Sequence, residues 1–337
     1  MKVLVTGGAG YIGSILTPLL AKEGFDVTVY DRFFFGKGGL AGLEDRIKLI
    51  RGDIRWIDSS TLRGIDAVID LAALSNDPIG ELDPKLTLQI NHQARVRIAR
   101  LAKRAGAQRY LLASSCSVYG FQKKTATEET PVHPLTTYAK ANALWERDAL
   151  PLASRKFTVT ALRQSSVYGL SKRMRFDIAF NNMVLSVFRG KRLPIMRDGK
   201  QRRPIIHIRD TSRAFLSVLT ADPDLVRGEV FNSGSNDQNF RIYDLAKTAA
   251  ESVGVPFRFE WYGSPDFRSY DVNFDKIRRV LGFKPKYTPR DGAREVFRAL
   301  KSGALQADDR TITIRWYQHL QELLETVREV ELRGRIL

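Results

Sequence analysis

The chain has 337 residues, 43% hydrophobic and 27% charged, enough for two domains or one large α/β unit with an ample core. One cysteine, Cys116, excludes an internal disulfide and a cysteine-based structural zinc site, and the four histidines show no metal-ligand spacing. A net charge of +17 raises the question of nucleic acid, but the basic residues are spread through helical segments with acids between them, which predicts no such partner.

No stretch approaches the ~20 apolar residues of a membrane span, and no charged leader precedes the first strand. The expectation is a cytoplasmic protein with no membrane partner. The first predicted element is the run Lys2-Val3-Leu4-Val5-Thr6-Gly7-Gly8-Ala9-Gly10-Tyr11-Ile12-Gly13, which reads as a buried strand, a tight turn and the start of a helix. Gly7 can take a positive φ, Gly10 lets backbone approach a pyrophosphate, and Gly13 permits close packing of helix on strand. The helix N-terminus then faces the anion with unpaired N–H groups. A second apolar run, Asp26 to Tyr30, ends in Asp31, at the spacing where an acid accepts hydrogen bonds from an adenosine ribose. The combination predicts dinucleotide binding. Arg32, beside Asp31, could hold a 2′-phosphate, so NAD is favoured and NADP stays open.

Short apolar runs at Ile47 to Arg51, Ala67 to Leu71, Arg109 to Ala113 and Phe157 to Leu162 alternate with helical segments, among them Lys85 to Ala105 and Tyr138 to Ser154. That alternation predicts an α/β fold, a doubly wound parallel sheet with ligand at the carboxyl ends of the strands. Asp53-Ile54, Ala72-Ala73 and Ser114-Ser115 follow strand ends and are therefore site candidates. After Val167-Tyr168-Gly169 the chain becomes basic and irregular to Arg203, apart from a helical Asp177 to Phe188. Ile205 to Ile208 and Glu229 to Asn232 read as strands, Asp210 to Thr220 as a helix. Three further helices are expected at Tyr243 to Val253, Phe274 to Leu281 and Asp291 to Ser302. A long amphipathic helix is expected over Ile312 to Glu331, packed on its own domain. The expected division is a dinucleotide-binding domain over 1–168, with 205–235 returning to it, and a smaller α/β substrate domain formed by 169–204 and 236–337.

Ser114-Ser115-Cys116-Ser117-Val118-Tyr119-Gly120, Tyr138-Ala139-Lys140 and Val167-Tyr168-Gly169, together with the Gly7/Gly10/Gly13 turn, resemble the extended short-chain dehydrogenase/reductases, specifically the nucleotide-sugar epimerase and dehydratase branch. The resemblance implies a Rossmann-like fold and NAD as cofactor. It assigns Gly7, Gly10 and Gly13, with Tyr11 and Ile12 between them, to the pyrophosphate, Asp31 to the adenosine ribose, Asp53 and Ile54 to adenine, and Leu71, Ala72 and Ala73 to the length of the cofactor. Asn91 matches an asparagine that orders the active-site backbone. Ser115 and Tyr138 fall on the catalytic Ser/Thr and tyrosine. On the substrate side the resemblance implies Ser75, Ser117, Asn182 and two diphosphate arginines, Arg203 and Arg268. It also implies a homodimer through two long helices.

A tyrosine with its ordinary pKa near ~10 is a poor base at neutral pH and needs a cation beside it. The family places a lysine four residues after the tyrosine, one helical turn on, but this chain has Asn142 there. Lys140 lies on another face, and Asn142 offers an amide donor and acceptor but no charge. Family 4,6-dehydratases carry Asp-Glu after the catalytic Ser/Thr, and Cys116-Ser117 supplies neither acid. These residues imply a nucleoside-diphosphate-sugar epimerase acting at C4 through transient hydride transfer. The alternatives are an NAD(P)H-dependent 4-keto-sugar nucleotide reductase and a catalytically weakened binding protein.

Overall fold

The computed structural model describes residues 1–265 and 268–335. The end of the expected substrate domain, 336–337, lies outside them. The strands β1 (Lys2–Thr6), β2 (Asp26–Asp31), β3 (Ile47–Arg51), β4 (Ala67–Asp70), β5 (Arg109–Ser115) and β6 (Thr158–Gln164) are joined by β10 (Val230–Ser233) from much later in the chain. Together they make a seven-stranded sheet in the order β10-β6-β5-β4-β1-β2-β3, parallel throughout. The order reverses between β1 and β4, so a crevice opens above their carboxyl ends.

Both faces of this sheet are covered, which is why its strands are continuous apolar runs. Val3, Val5, Val27 and Val29 point to one side and pack with Leu16 and Leu20 of α1 (Gly13–Lys22) and Phe215 and Val218 of α7 (Ile208–Thr220). Leu4, Val68 and Leu112 point to the other, against Ile98 of α4 (Arg95–Arg104) and Trp145 of α5 (Thr137–Ala149). Between β4 and α4 lie the short helices α2 (Asp77–Gly80) and α3 (Pro84–Leu88), then a π-helical turn over Gln89–Ala94. The helix expected over 85–105 is thus interrupted where the buried Asn91 is bonded to the backbone of Leu74.

Beyond β6 the chain builds a second body. A three-stranded sheet holds β7 (Ser166–Tyr168), β9 (Arg202–His207) and β11 (Asn239–Arg241), and a two-stranded one pairs β8 (Leu193–Met196) with β12 (Phe259–Tyr262). The helices α6 (Ala179–Phe188), α9 (Ile242–Glu251) and α11 (Pro289–Lys301) share its core with Met174, Phe176 and Phe180. The segment that includes α7, α8 (Pro223–Val226) and β10 returns to the large sheet, and α10 (Asp275–Leu281) packs on β10. Although β7 falls inside 1–168, it pairs with β9 rather than with the large sheet.

The last helix, α12 (Thr313–Val330), departs from expectation. Instead of packing only on its own body it reaches across to the first: the Trp316 indole donates to the Phe34 carbonyl at 2.7 Å, and Tyr317 meets the rings of Phe34 and Phe35. Among the described residues no helix is long and apolar enough to cross a membrane.

Close contact at the first turn fixes where α1 begins. A Cβ on Gly13 would stand 2.5 Å from the Gly7 carbonyl oxygen and 2.6 Å from the Gly8 backbone, and no flexible side chain is there to yield. Gly13→Ala is therefore expected to lower stability by roughly 2 kcal/mol, as overpacking does, read as a shifted denaturant midpoint with unchanged slope.

Candidate active site

A cleft of about 740 Å³ opens above the carboxyl ends of β1, β4, β5 and β6, a size suited to a small-molecule or cofactor site. At one end is the glycine turn. Gly7 has φ +67°, and a Cβ there would stand 2.8 Å from the Ala72 amide nitrogen, so β1 and β4 can approach this closely only with hydrogen at that position. Gly7, Gly10, Tyr11, Ile12, Gly13 and the Leu71-Ala72-Ala73 segment all line the cleft. The Tyr11 hydroxyl donates to the Gly169 carbonyl at 2.7 Å and accepts from Asn181 at 3.0 Å, tying the turn to the second body.

Asp31 closes this end. Its carboxylate accepts from the Ala9 amide at 3.0 Å and the Phe33 amide at 2.7 Å, and burial pushes the carboxyl above its ordinary range against those bonds. Arg32 turns to Asp53, 2.9 Å away, and its guanidinium lies over the Phe34 ring. Arg55 holds the same carboxylate from the other side. Burial works to raise Asp53, but the hydrogen bonds and charges of Arg55 and Arg32 outweigh it and hold it below the usual carboxylate range. Asp53 and Ile54 both line the cleft.

Sequence reasoning missed Arg173. It lies in the basic stretch, where its neighbours hid it, yet it is 8% exposed and lines the cleft. Its amide is 3.4 Å from Ser14 Oγ at the start of α1, and its guanidinium stacks on Phe35 at 3.5 Å and donates to Thr313. Burial pushes this guanidinium down, the neighbouring Arg175 adds to the effect, and Nε has no hydrogen-bond partner. Such a cation is stabilised by an anion in the cleft.

At the other end Tyr138, near the start of α5, and Ser115, at the end of β5, both line the cleft. The Thr136 hydroxyl caps α5, and a Cβ on Gly80 would stand 2.9 Å from Tyr138 Cβ, so α2 packs directly on the tyrosine. Asn142 is fully buried and does not reach the cleft. Its amide nitrogen donates to the Tyr138 carbonyl at 3.1 Å. Asn91 is likewise out of the cleft. It bonds both backbone groups of Leu74, at 2.9 and 2.8 Å, and so fixes the loop that lines it.

Ser75 lines the cleft and accepts from Arg175 at 2.6 Å. Arg203 lines it too, lies over the Tyr270 ring and donates to the Arg268 carbonyl. Arg268 sits in an adjoining recess with Ser117 and Arg203, ion-paired to Asp77. The pair at 181–182 divides against expectation: Asn182 is exposed and outside the lining, because α6 turns Asn181 inward, where it bonds the Gly169 amide and Arg175 carbonyl. Cys116 is 1% exposed, and burial pushes its thiol up, so it is not a nucleophile.

Polar groups without partners mark where a ligand belongs. Both amide atoms of Gln164 and the hydroxyls of Ser165 and Ser117 are buried, lack a hydrogen-bond partner and belong to lining residues. With the glycine cradle and Arg173, this donor set fits a dinucleotide. Residues 3–234 match the NAD dependent epimerase/dehydratase family. The chain belongs to this family.

It is accordingly an extended short-chain dehydrogenase/reductase, an NAD-dependent enzyme of the sugar-nucleotide class. It is 30% identical over 310 residues to the UDP-glucose 4-epimerase of Lactobacillus helveticus, covering 85% of this chain and 93% of that one. Identity to the dTDP-glucose 4,6-dehydratase of Streptomyces niveus is also 30%, over 319 residues and 88% and 91% of the two chains. The UDP-glucuronic acid 4-epimerase from Bacillus cereus, solved with UDP-glucuronic acid and NAD, superposes with a TM-score of 0.81 at 26% identity over 90% and 99%.

Loss of the buried cation is measurable on the cofactor. Arg173→Met is expected to weaken NAD binding by about 10- to 100-fold, the worth of a charged hydrogen bond. Calorimetric titration of NAD into both proteins reads the difference.

Proposed function

We propose that this enzyme is a nucleoside-diphosphate-sugar 4-epimerase that keeps its NAD through the catalytic cycle. The observation that carries the reading is the passage of α12 along the cleft. Tyr317, Leu320, Gln321 and Leu324 line it, and the helix is anchored by Trp316 to Phe34 and by Thr313 to Arg173. A helix laid along the cleft hinders exchange of a cofactor at every turnover, which favours redox-neutral epimerisation over the reductase. The pairing of Arg32 with Asp53 also favours NAD, since the cation that would meet a 2′-phosphate is already engaged.

Bound NAD would supply a hydride acceptor that later returns the same hydride. The protein's own residues supply the rest. Tyr138 takes the hydroxyl proton of the sugar as the carbonyl forms and gives it back when the alcohol is remade, while the Ser115 hydroxyl holds the oxygen. Arg203 is the cleft's cation for the nucleotide diphosphate, with Arg268 next to it. Elimination of water needs an acid and a base beside the sugar, and the two residues after Ser115 give a buried thiol and a serine, which favours epimerisation over dehydration.

Purified enzyme incubated with UDP-, GDP- and dTDP-hexoses, with no cofactor added, is expected to convert one of them to its C4 epimer. Tyr138→Phe is expected to reduce kcat by about 10²- to 10⁴-fold with KM nearly unchanged. Turnover that requires added NAD(P)H and stops when it is exhausted would establish the reductase instead.

A further inference from the structure

The position where the family carries its lysine holds Asn142, yet the structure brings a cation to the same place from another helix. Arg95, the first residue of α4, is 1% exposed. Its Nη1 lies 3.4 Å from Asn142 Oδ1, and Asn142 in turn donates to the Tyr138 carbonyl. Nη2 donates to the carbonyls of Asp70 at 3.0 Å and Ala113 at 3.4 Å, near the carboxyl ends of β4 and β5. Nε has no hydrogen-bond partner, and the nearest carboxylate, Asp70, stands 3.4 Å from it. That carboxylate also accepts from the Thr6 hydroxyl and the Tyr110 phenol. The guanidinium is thus wedged between two strand ends and the base of the helix that carries the tyrosine.

We propose that Arg95 takes over the part of the absent lysine, a fixed positive charge held against residue 142, one turn of α5 from Tyr138. It rests on the reading of Tyr138 as the proton-transferring group. Arg95 does not line the cleft, so it is a positioning residue that acts through the field it places on the tyrosine. The charged and polar groups that bear on the phenol come from four elements. Burial raises its pKa above the ordinary value. Against that act the charge of Arg95 from α4, the Ser115 hydroxyl from β5 and Asn142 from α5 itself, while Asp77 from α2 pushes the same way as burial. Asp77 is paired with Arg268 and accepts from the Thr136 hydroxyl, which blunts its opposition.

A second consequence concerns residue 142. A lysine there would stand against Arg95, two buried cations sharing one acceptor set, which is strongly unfavourable. Asn142 and Arg95 are therefore a matched pair, and each excludes the family's arrangement while the other is present.

The test is a charge swap read on the tyrosine itself. Phenolate absorbance is titrated in the full-length protein with and without NAD, taking Tyr138→Phe as the blank, and compared with the acid limb of the kcat/KM profile. Arg95→Met is expected to raise the Tyr138 pKa by about one unit, moving the acid limb to higher pH and lowering neutral-pH activity about tenfold. Arg95→Lys is expected to keep most of the wild-type titration. Asn142→Lys alone should be less stable and no faster, whereas Asn142→Lys combined with Arg95→Met should fold and titrate like wild type. The swap also keeps the test open if Arg95→Met fails to fold. An unmoved Tyr138 titration in a folded Arg95→Met, or an Asn142→Lys that gains activity with Arg95 in place, would overturn the proposal. The titration needs no sugar turnover. A shifted phenol in a protein that converts no nucleotide sugar would sink the epimerase reading and leave Arg95 in its place.

Discussion

The central constraint on this molecule is a buried ionic knot under its cleft. Asp70 ends β4 and is fully buried, where an unpaired carboxylate is not tolerated. Thr6 from β1, Tyr110 from β5 and Arg95 from α4 converge on it. Three adjacent strands and the helix covering them are registered to one another by that cluster, and above it lie the glycine turn, the Leu71 to Ala73 segment and Tyr138. Breaking a pair of this kind leaves a buried charge, so the cluster holds the strand ends to one arrangement.

The same arrangement connects architecture to chemistry. Reversal of strand order between β1 and β4 opens the crevice, and the glycines admit the backbone of β4 to within contact of the first turn. Ser115 ends β5 and lines the same cleft as the tyrosine carried by α5. From the second body, Arg173, Arg175 and Arg203 bring positive charge to the opposite wall. The basic stretch is therefore divided: some of its cations are buried and directed inward, while Lys191 and Arg192 remain on a solvated face.

α12 joins the two bodies over the cleft. Its amphipathic pattern was visible in the chain, but an apolar stripe does not name what it covers. Here its N-terminal half meets Phe34, Phe35 and the cleft as well as the second body.

What the sequence determined by itself was whatever depends on neighbours in the chain. Alternating apolar strands and helices with the Gly7, Gly10 and Gly13 spacing specified the doubly wound sheet and the end at which a dinucleotide belongs. The strands at 47–51 and 67–70 and the helices near 208–220 and 289–301 lie close to where periodicity put them. Short strands such as β8 and β11 carried too little pattern to be read. Side-chain partners were decided only by the tertiary structure, because they come from distant segments. Asn142 looked like the loss of a charge until α4 brought Arg95 beside it, and Asn181 rather than Asn182 turned inward because the rotation of α6 is set by packing. Arg32 left a 2′-phosphate open until Asp53 met it, and Arg173 could not be told from its surface neighbours until burial singled it out. Local periodicity fixes backbone direction, whereas the field on a reactive group is summed in space over every charge that folding brings near it.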